Sequence, residues 1–354
     1  MIRTRPNLST STFGLVALGA LILATVPVQA QNLTVPQASP HAVAEQEIGI
    51  SKVTVDYHRP QVRDREIWGA LVPYDNAWRA GANENTVVTF SHDVKVEGQD
   101  LAAGSYGLHM FPTAGEWEIA FSTNSTSWGS FSYNQEEDAL RVKVKPVAAP
   151  FEEWLRFGFE DLSGNGATTY LHWEKLKIPF RVEVDTPEIV LAKARNDLRS
   201  RVGFQWQGWA GAANYALQNG IHLEEALGWA ENAVGRQENG RTLGLQALLQ
   251  ERLGRDDDAA ATLAKAVEVS TEAELNALGY GILGAGNTAK AIELFQHNVD
   301  KNPESWNVWD SLAEAQASLG DTKGAIKNYT KALGMAPDPQ KPRIESVLKK
   351  LKGS

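Results

Sequence analysis

Residues 52–58 alternate one by one. Val53, Val55 and Tyr57 fall on one side of an extended backbone, and Thr54, Asp56 and His58 on the other. The same period of two marks residues 86–91, 93–97, 105–111, 116–122, 139–145, 155–162, 167–174 and 177–184. Turn chemistry separates these runs at Glu97-Gly98, Thr113-Ala114-Gly115 and Ser163-Gly164-Asn165-Gly166. Strands at this spacing, with no helical period between them, predict an all-β antiparallel sandwich, jelly-roll-like, over residues 39–185. A closed barrel is the alternative.

Two stretches break the rhythm. Residues 67–86, IWGALVPYDNAWRAGANENT, fit neither period, and Gly69, Pro73 and Gly81 interrupt any regular element. A structured loop with two tryptophans and many uncommitted polar groups is either a packing plug or a binding site. Residues 122–138 form a second irregular stretch, Ser- and Asn-rich, carrying Trp128-Gly129, Phe131 and Tyr133.

From Pro187 the period changes to that of a helix and stays there. Pro187, with Thr186 as N-cap, opens a helix through Leu198. A 34-residue series then recurs. Its last copy runs Trp309, Leu312, Ala313, Gly320, Ala325, Tyr329, Ala332 and Pro337; the one before runs Leu275, Leu278, Gly279, Gly286, Ala291, Phe295, Asn298 and Pro303. This is similar to the tetratricopeptide (TPR) repeat, two antiparallel helices with small residues where they cross closely. Asn298 stands where a small residue is expected. A looser copy contains Leu243, Ala247, Gly254, Ala259, Leu263 and Ala266, and a degenerate one begins at Trp206 and Trp209. Residues 187–354 therefore read as an all-α helical solenoid of the tetratricopeptide type, its exposed end capped by a basic helix at 343–352. Such stacks commonly receive a protein or peptide on the concave face; support of the β domain is the other reading.

The first thirty residues read as a secretory signal peptide. Arg3 and Arg5 precede an apolar run from Phe13 to Val26, and Val28-Gln29-Ala30 forms a small-x-small cleavage site before Gln31. Residues 31–38 read as a flexible leader. The mature chain is then expected to be exported, periplasmic or extracellular, without a membrane span. A formal charge of −9 argues against nucleic acid or an anionic membrane as partner. The absence of cysteine removes disulfides, thiolate nucleophiles and Cys-based metal sites.

The string Tyr57-x-Arg59-Pro60, Ile67-Trp68-Gly69-x-Leu71-Val72-Pro73-Tyr74 and Trp78-Arg79-x-Gly81-Ala82-Asn83-Glu84-x-Thr86 resembles the secreted bacterial domain-of-unknown-function family numbered 2911. Leu101-x-Ala103-Gly104-x-Tyr106-x-Leu108 and Trp128-Gly129 fit it as well. The resemblance implies no assigned activity. Asp75 departs from it, since glycine is expected after the Pro-Tyr pair.

The candidate chemistry is sparse. The histidines show no metal-ligand spacing, so no metal and no cofactor are expected. No G-x-S-x-G occurs, and Gly279-Tyr280-Gly281 follows no strand, which argues against a dinucleotide site. The remaining polar set is Asp56, His58, Arg59, Arg63, Arg65, Arg79, Asn83, Glu84 and Asn85. Acid–base catalysis could draw on Glu84 with Arg79, or on Asp56 with His58. The structural alternative is an Arg79–Glu84 ion pair locking the loop, with Asn83 and Asn85 satisfying backbone groups. A small molecule or glycan would be held by Arg59, Trp78, Arg79, Asn83, Glu84 and Trp128. Trp128 is the tryptophan expected at the surface, while Trp117 and Trp173 are expected in the core.

Overall fold

The computed structural model describes Met1 and residues 35–353. Apart from Met1, the segment read as a signal peptide lies outside the described residues, as do 31–34 of the leader and Ser354.

The N-terminal half is two antiparallel sheets packed face to face. Strands β1 (His41–Ile48), β2 (Ser51–His58), β3 (Thr86–Phe90), β6 (Gly104–Phe111), β7 (Trp117–Ser122) and β8 (Asp138–Val144) form a six-stranded sheet in the order β1-β2-β3-β6-β7-β8. Strands β4 (Val94–Val96), β5 (Gln99–Leu101), β9 (Val147–Ser163) and β10 (Gly166–Glu183) form the second, in the order β5-β4-β10-β9. The inward side chains interleave: Val53, Val55, Val88, Leu108 and Phe121 from one sheet, Leu155, Leu171, Ile178 and Phe180 from the other, all with almost no exposure. Burial of such apolar surface is what drives the sheets together. The inward side of β2 is Val53, Val55 and Tyr57, the side that alternation predicts.

Three features correct the reading of the chain. Strand β1 pairs with β2 along its whole length, yet its inward residues Ala42, Ala44 and Gln46 give little contrast with its outward ones. An edge strand with small inward residues leaves a faint period. The runs 167–174 and 177–184 are a single strand, β10. Register shifts on either side of Glu174, whose φ is +55°, absorb the break in alternation as a bulge. Strand β9 likewise begins at Val147, ahead of the apolar run.

The C-terminal half is helical. α1 (Thr186–Asp197) is followed by four helical hairpins and a last helix. The hairpins are α2 (Trp206–Asn219) with α3 (Leu223–Arg236), α4 (Gly240–Arg252) with α5 (Asp256–Val269), α6 (Glu272–Gly284) with α7 (Thr288–Lys301), and α8 (Trp306–Leu319) with α9 (Thr322–Met335). Helix α10 (Lys341–Gly353) closes the end, burying Ile344 and Leu348 against Ala332 and Tyr329. Gly220, Gly254, Gly286 and Gly320 stand at positive φ, one in each hairpin turn, where a side chain would be strained. Side-chain caps start several helices: Asn239 for α4, Thr271 with Glu274 for α6 and Asp321 for α9. Helix α1 is capped by Asp185, not Thr186. The Thr186 hydroxyl instead donates to the Gly164 carbonyl at 2.7 Å, tying the helix start to the β9–β10 turn.

The first helices of the hairpins (α2, α4, α6, α8) pack on one another in sequence, whereas the second helices do not meet as closely. The array therefore curves with the first helices on its inner side. Asn298 is fully buried where Ala266 and Ala332 stand in other hairpins. Its Nδ2 donates to the Glu272 carbonyl at 3.0 Å, and Asn302 donates to its Oδ1 at 2.8 Å. A buried amide so paired replaces a small residue at little cost.

Candidate functional site

The stretch 67–86 folds as a compact loop against the end of the sandwich. Ile67 and Val72 are buried, and the loop closes on itself: Gly69 N–H donates to Val72 O at 2.9 Å and Val72 N–H to Ile67 O at 2.8 Å. Trp78 exchanges both backbone hydrogen bonds with Met110 on β6, at 2.9 and 2.8 Å. The Trp68 indole is wedged among Trp78, Trp117 and Trp173, at centroid distances of 5.7, 5.1 and 5.8 Å and steep interplanar angles. Trp117 belongs to the six-stranded sheet and Trp173 to the four-stranded one. Both are 1% exposed, in the core as their strand positions predict. Edge-to-face aromatic packing of this kind holds the two sheets at a fixed spacing.

The loop is a plug, and it also lines a cavity. A space of about 300 Å³ opens beside it, floored by Trp78, Trp173 and Val72 and rimmed by Arg63, Arg65 and Arg79. Backbone strain gathers around it: Arg63, Asp64, Asp75, Ala80 and Asn83 all have φ between +49° and +60°. Non-glycine residues reach that region only when their surroundings impose it. Asp75, where the family resemblance expects glycine, has the left-handed conformation a glycine would take, which aspartate tolerates better than most.

The polar candidates divide among several places. Arg79 and Glu84 do not form an ion pair. Among the described residues Arg79 makes no hydrogen bond, and its Nε is buried without a partner. Burial pushes its guanidinium below the usual range, with the Glu84 charge partly opposing. Glu84 turns to His58, its Oε2 3.4 Å from Nδ1. Asp56 does not meet His58; its Oδ1 lies 2.7 Å from Nε2 of His41. His41 and His58 face each other across β1 and β2, ring centroids 5.3 Å apart. Two imidazoles and two carboxylates thus line one end of the β1–β2 pair. His41 is the member that sequence reasoning missed, because it depends on a strand whose period is faint.

The other candidates have structural work. Arg59 Nε donates to the Leu155 carbonyl at 2.8 Å, joining β2 to β9. Asn83 Nδ2 donates to Gln37 Oε1 and to Ser39 O, at 3.0 and 3.3 Å, and so pins the incoming chain. Asn85 is buried and its Nδ2 donates to the Asn124 carbonyl at 3.4 Å. Trp128 is 62% exposed and stacks on Phe131, itself 83% exposed, at 5.8 Å and 13°. The Arg79 guanidinium lies 6.0 Å from the Trp128 centroid, so this arginine stands between the cavity and the exposed aromatic pair. Among the described residues, no group of three or more His, Cys, Asp or Glu side chains is arranged to hold a metal ion.

The second irregular stretch carries a network that the sequence did not disclose. His109, 2% exposed, meets Ser130 Oγ through Nδ1 at 2.8 Å. Burial pushes its imidazole down to about 4, Asp138 opposing. Tyr133 donates to Asp138 Oδ2 at 2.6 Å, and its hydroxyl is pushed up to about 12 by burial and then by that carboxylate. Arg141 joins Asp138 to Glu118, at 3.0 and 2.7 Å, and lies over the Phe111 ring. The network ties Ser130 and Tyr133 to β6 and β8, and so reads as the lock of loop 122–138.

Comparison with known proteins finds similarity in both halves of the chain. Residues 39–182 match the family described as Protein of unknown function (DUF2911), and residues 307–339 match the tetratricopeptide repeat. No curated protein matches. Similar solved structures include TTC0263, a thermophilic TPR protein in Thermus thermophilus, at 17% identity over 48% of this chain and 92% of that one, TM-score 0.33. PcrH from Pseudomonas aeruginosa is 18% identical over 32% of this chain and 91% of its own, TM-score 0.25. YrrB, described as a TPR protein with an unusual peptide-binding site, is 20% identical over 43% and 79%, TM-score 0.27. The chain is thus similar over residues 39–182 to DUF2911, a family of unknown function, and over residues 307–339 to the tetratricopeptide repeat.

Proposed function

We propose that this is an exported binding protein whose helical array takes up a segment of another protein. The observation that carries the reading is the packing of α2, α4, α6 and α8 into one inner layer, the side on which stacks of this kind commonly receive an extended partner. Polar groups are presented where these helices meet. Tyr280 on α6 donates to Glu314 on α8 at 2.7 Å and reaches Ser311, and Asp310 on α8 accepts from Arg343 on α10 at 2.7 Å. Glu314, exposed where Asp310 is buried against Arg343, favours a partner segment that carries basic residues. Export rests on the charged, apolar and small-residue order of the first thirty positions.

Affinity capture with the intact chain tests the binding reading. A reproducible partner should be retained by the wild type and released by Glu314→Arg at unchanged melting temperature. Retention of the same partner by that variant would sink the assignment to the inner layer. Mass spectrometry of the chain recovered from cell fractions tests export, with an N-terminus at Gln31 expected.

A second reading, small-molecule or glycan binding by the sandwich loops, has its own support in the cavity beside Trp78 and the exposed Trp128–Phe131 pair. Flat aromatic faces suit sugar rings and other flat ligands. A glycan reading requires a shift in tryptophan fluorescence on titration that Trp128→Ala abolishes. Catalysis at Glu84 would require turnover that Glu84→Gln removes.

A further inference from the structure

The cavity beside the 67–86 loop has an electrostatic character at odds with the rest of the chain. The protein carries a formal charge of −9, yet the cavity is lined by three arginines and no aspartate or glutamate. The larger space beside β4 and β5 shows the opposite, with Asp93, Asp100, Glu183 and Asp185 against a single Lys95. Arginine side chains on an acidic protein are ordinarily drawn to carboxylates. None of the guanidinium groups of Arg63, Arg65 and Arg79 forms an ion pair among the described residues; the Glu153 carboxylate accepts from the Arg63 backbone N–H at 3.1 Å, and Glu84 acts on Arg79 from beyond contact.

Their hydrogen bonding leaves donors to spare. Arg63 spends Nε on Gln61 Oε1 at 2.7 Å. Arg65 spends Nε on the Val62 carbonyl at 3.0 Å and one terminal nitrogen on the Gln61 carbonyl. Arg65 is thereby held in place with its other terminal nitrogen uncommitted. Arg79 spends none, although its Nε is wholly buried. An unmatched buried guanidinium donor is costly, and a protein retains one where it serves a purpose. The backbone that carries these groups is strained at Arg63, at Asp64 and at Ala80, next to Arg79. Strain maintained at residues that bring three cations to the lining of one space is the pattern of a prepared site.

We propose that this cavity binds a small organic anion, a carboxylate or a phosphate ester, with its charged group among Arg63, Arg65 and Arg79 and its apolar body on Trp78. The planar fork of a guanidinium matches either oxyanion with two parallel hydrogen bonds. A volume of about 300 Å³ admits a ligand the size of a single substituted ring. Trp78 is fixed as a floor by its backbone pairing with Met110 and by its stack on Trp173, 6.0 Å and 16°. The assignment rests on the small-molecule reading of the sandwich loops and adds to it the charge of the ligand.

Calorimetric titration of the intact chain with benzoate, phenyl phosphate and uncharged benzamide tests it. Benzoate or phenyl phosphate should bind and benzamide should not, and the tighter of the two anions tells carboxylate from phosphate ester. Arg79→Gln should weaken the anion by about tenfold or more, in line with loss of a charge-assisted pair. Arg63→Gln, at an exposed position and checked for an unchanged melting temperature, should weaken it too, and added salt should act in the same direction. Benzamide binding as tightly as benzoate would overturn the anion assignment while leaving a small-molecule cavity. Failure of all three ligands to bind would overturn both. Anion binding left undiminished by Arg63→Gln and Arg79→Gln would remove the anion from this cavity.

Discussion

The Glu84 carboxylate approaches the His58 ring, Oε2 to Nδ1 at 3.4 Å, with the Glu84 side chain more than half exposed. A long contact to an exposed carboxylate contributes little to stability. Glu84→Gln should change the free energy of unfolding by no more than about 0.5 kcal/mol, read from urea denaturation. A loss of about 2 kcal/mol or more would mean that Glu84 neutralises Arg79 after all.

Trp68 carries the plug. Its ring joins tryptophans from both sheets, so Trp68→Ala should remove packing from each at once. Truncation of a large aromatic at such a junction costs about 3 kcal/mol or more, and calorimetric melting of the intact chain would show it. Trp68→Phe should cost less, since it keeps an aromatic ring and discards an indole N–H that is buried without a partner. A Trp68→Ala variant that melts like the wild type would show the loop to be merely draped over the sandwich.

His109 makes stability depend on pH in a definite direction. Its folded imidazole titrates near 4, against 6.5 when unperturbed. The unfolded chain therefore binds the proton first. The stabilisation is complete above pH 6.5 and is lost as pH falls towards 4, a swing of about 3 kcal/mol at most. Comparing melting curves from about pH 7 to about pH 4.5, His109→Gln should lose less stability than the wild type over that window. Parallel curves would show that the imidazole takes up its proton in the folded state.

The pair formed by Asp310 and Arg343 should respond asymmetrically. The Asp310 side chain is 8% exposed, and burial raises its carboxyl while the Arg343 contact opposes that. Arg343→Met strands the carboxylate and should cost about 2 kcal/mol; Asp310→Asn with Arg343→Met should recover most of it. Additive effects in the double-mutant cycle would argue against coupling.

Two glycines in the helical array should behave oppositely. A Cβ on Gly279 would lie 2.6 Å from the Phe295 ring, whereas one on Gly228 would meet nothing within 4 Å. Gly279→Ala is expected to destabilise by about 1–3 kcal/mol through overpacking. Gly228→Ala is expected to stabilise by roughly 0.5–1 kcal/mol through helix propensity. Equal effects would show that the α6–α7 crossing relaxes freely.

The helical hairpins were legible because each repeats a local grammar: a small residue at the crossing, a glycine at the turn, an apolar stripe on either side. Most strands were legible from alternation alone. Strand β1 was not, since Ala42 and Ala44 scarcely differ from their neighbours, and with it His41 and the cross-strand histidine pair were lost. The bulge at Glu174 looked like the end of a strand because the inward parity changes there, from Leu171 and Trp173 to Ile178 and Phe180. At the site, proximity in sequence misled. Arg79 and Glu84 are five residues apart, but Ala80 and Asn83 between them take left-handed turns and send the two side chains to different neighbours. Trp68, Trp78, Arg63 and Arg65 were marked by composition; that the arginines share one space with Trp173 depends on strand placement that no local pattern encodes.

Strand β10 leads through Asp185 directly into α1, and Thr186 fastens that junction to the β9–β10 turn. A pull on a segment gripped by the helices would therefore enter the sandwich along the axis of β10, which is flanked by β4 and by the long partner β9. Hydrogen bonds lie across that axis, so many would have to shear together before the strand moved. With a partner held by the helices, the sandwich would act as an anchorage able to keep its place under tension.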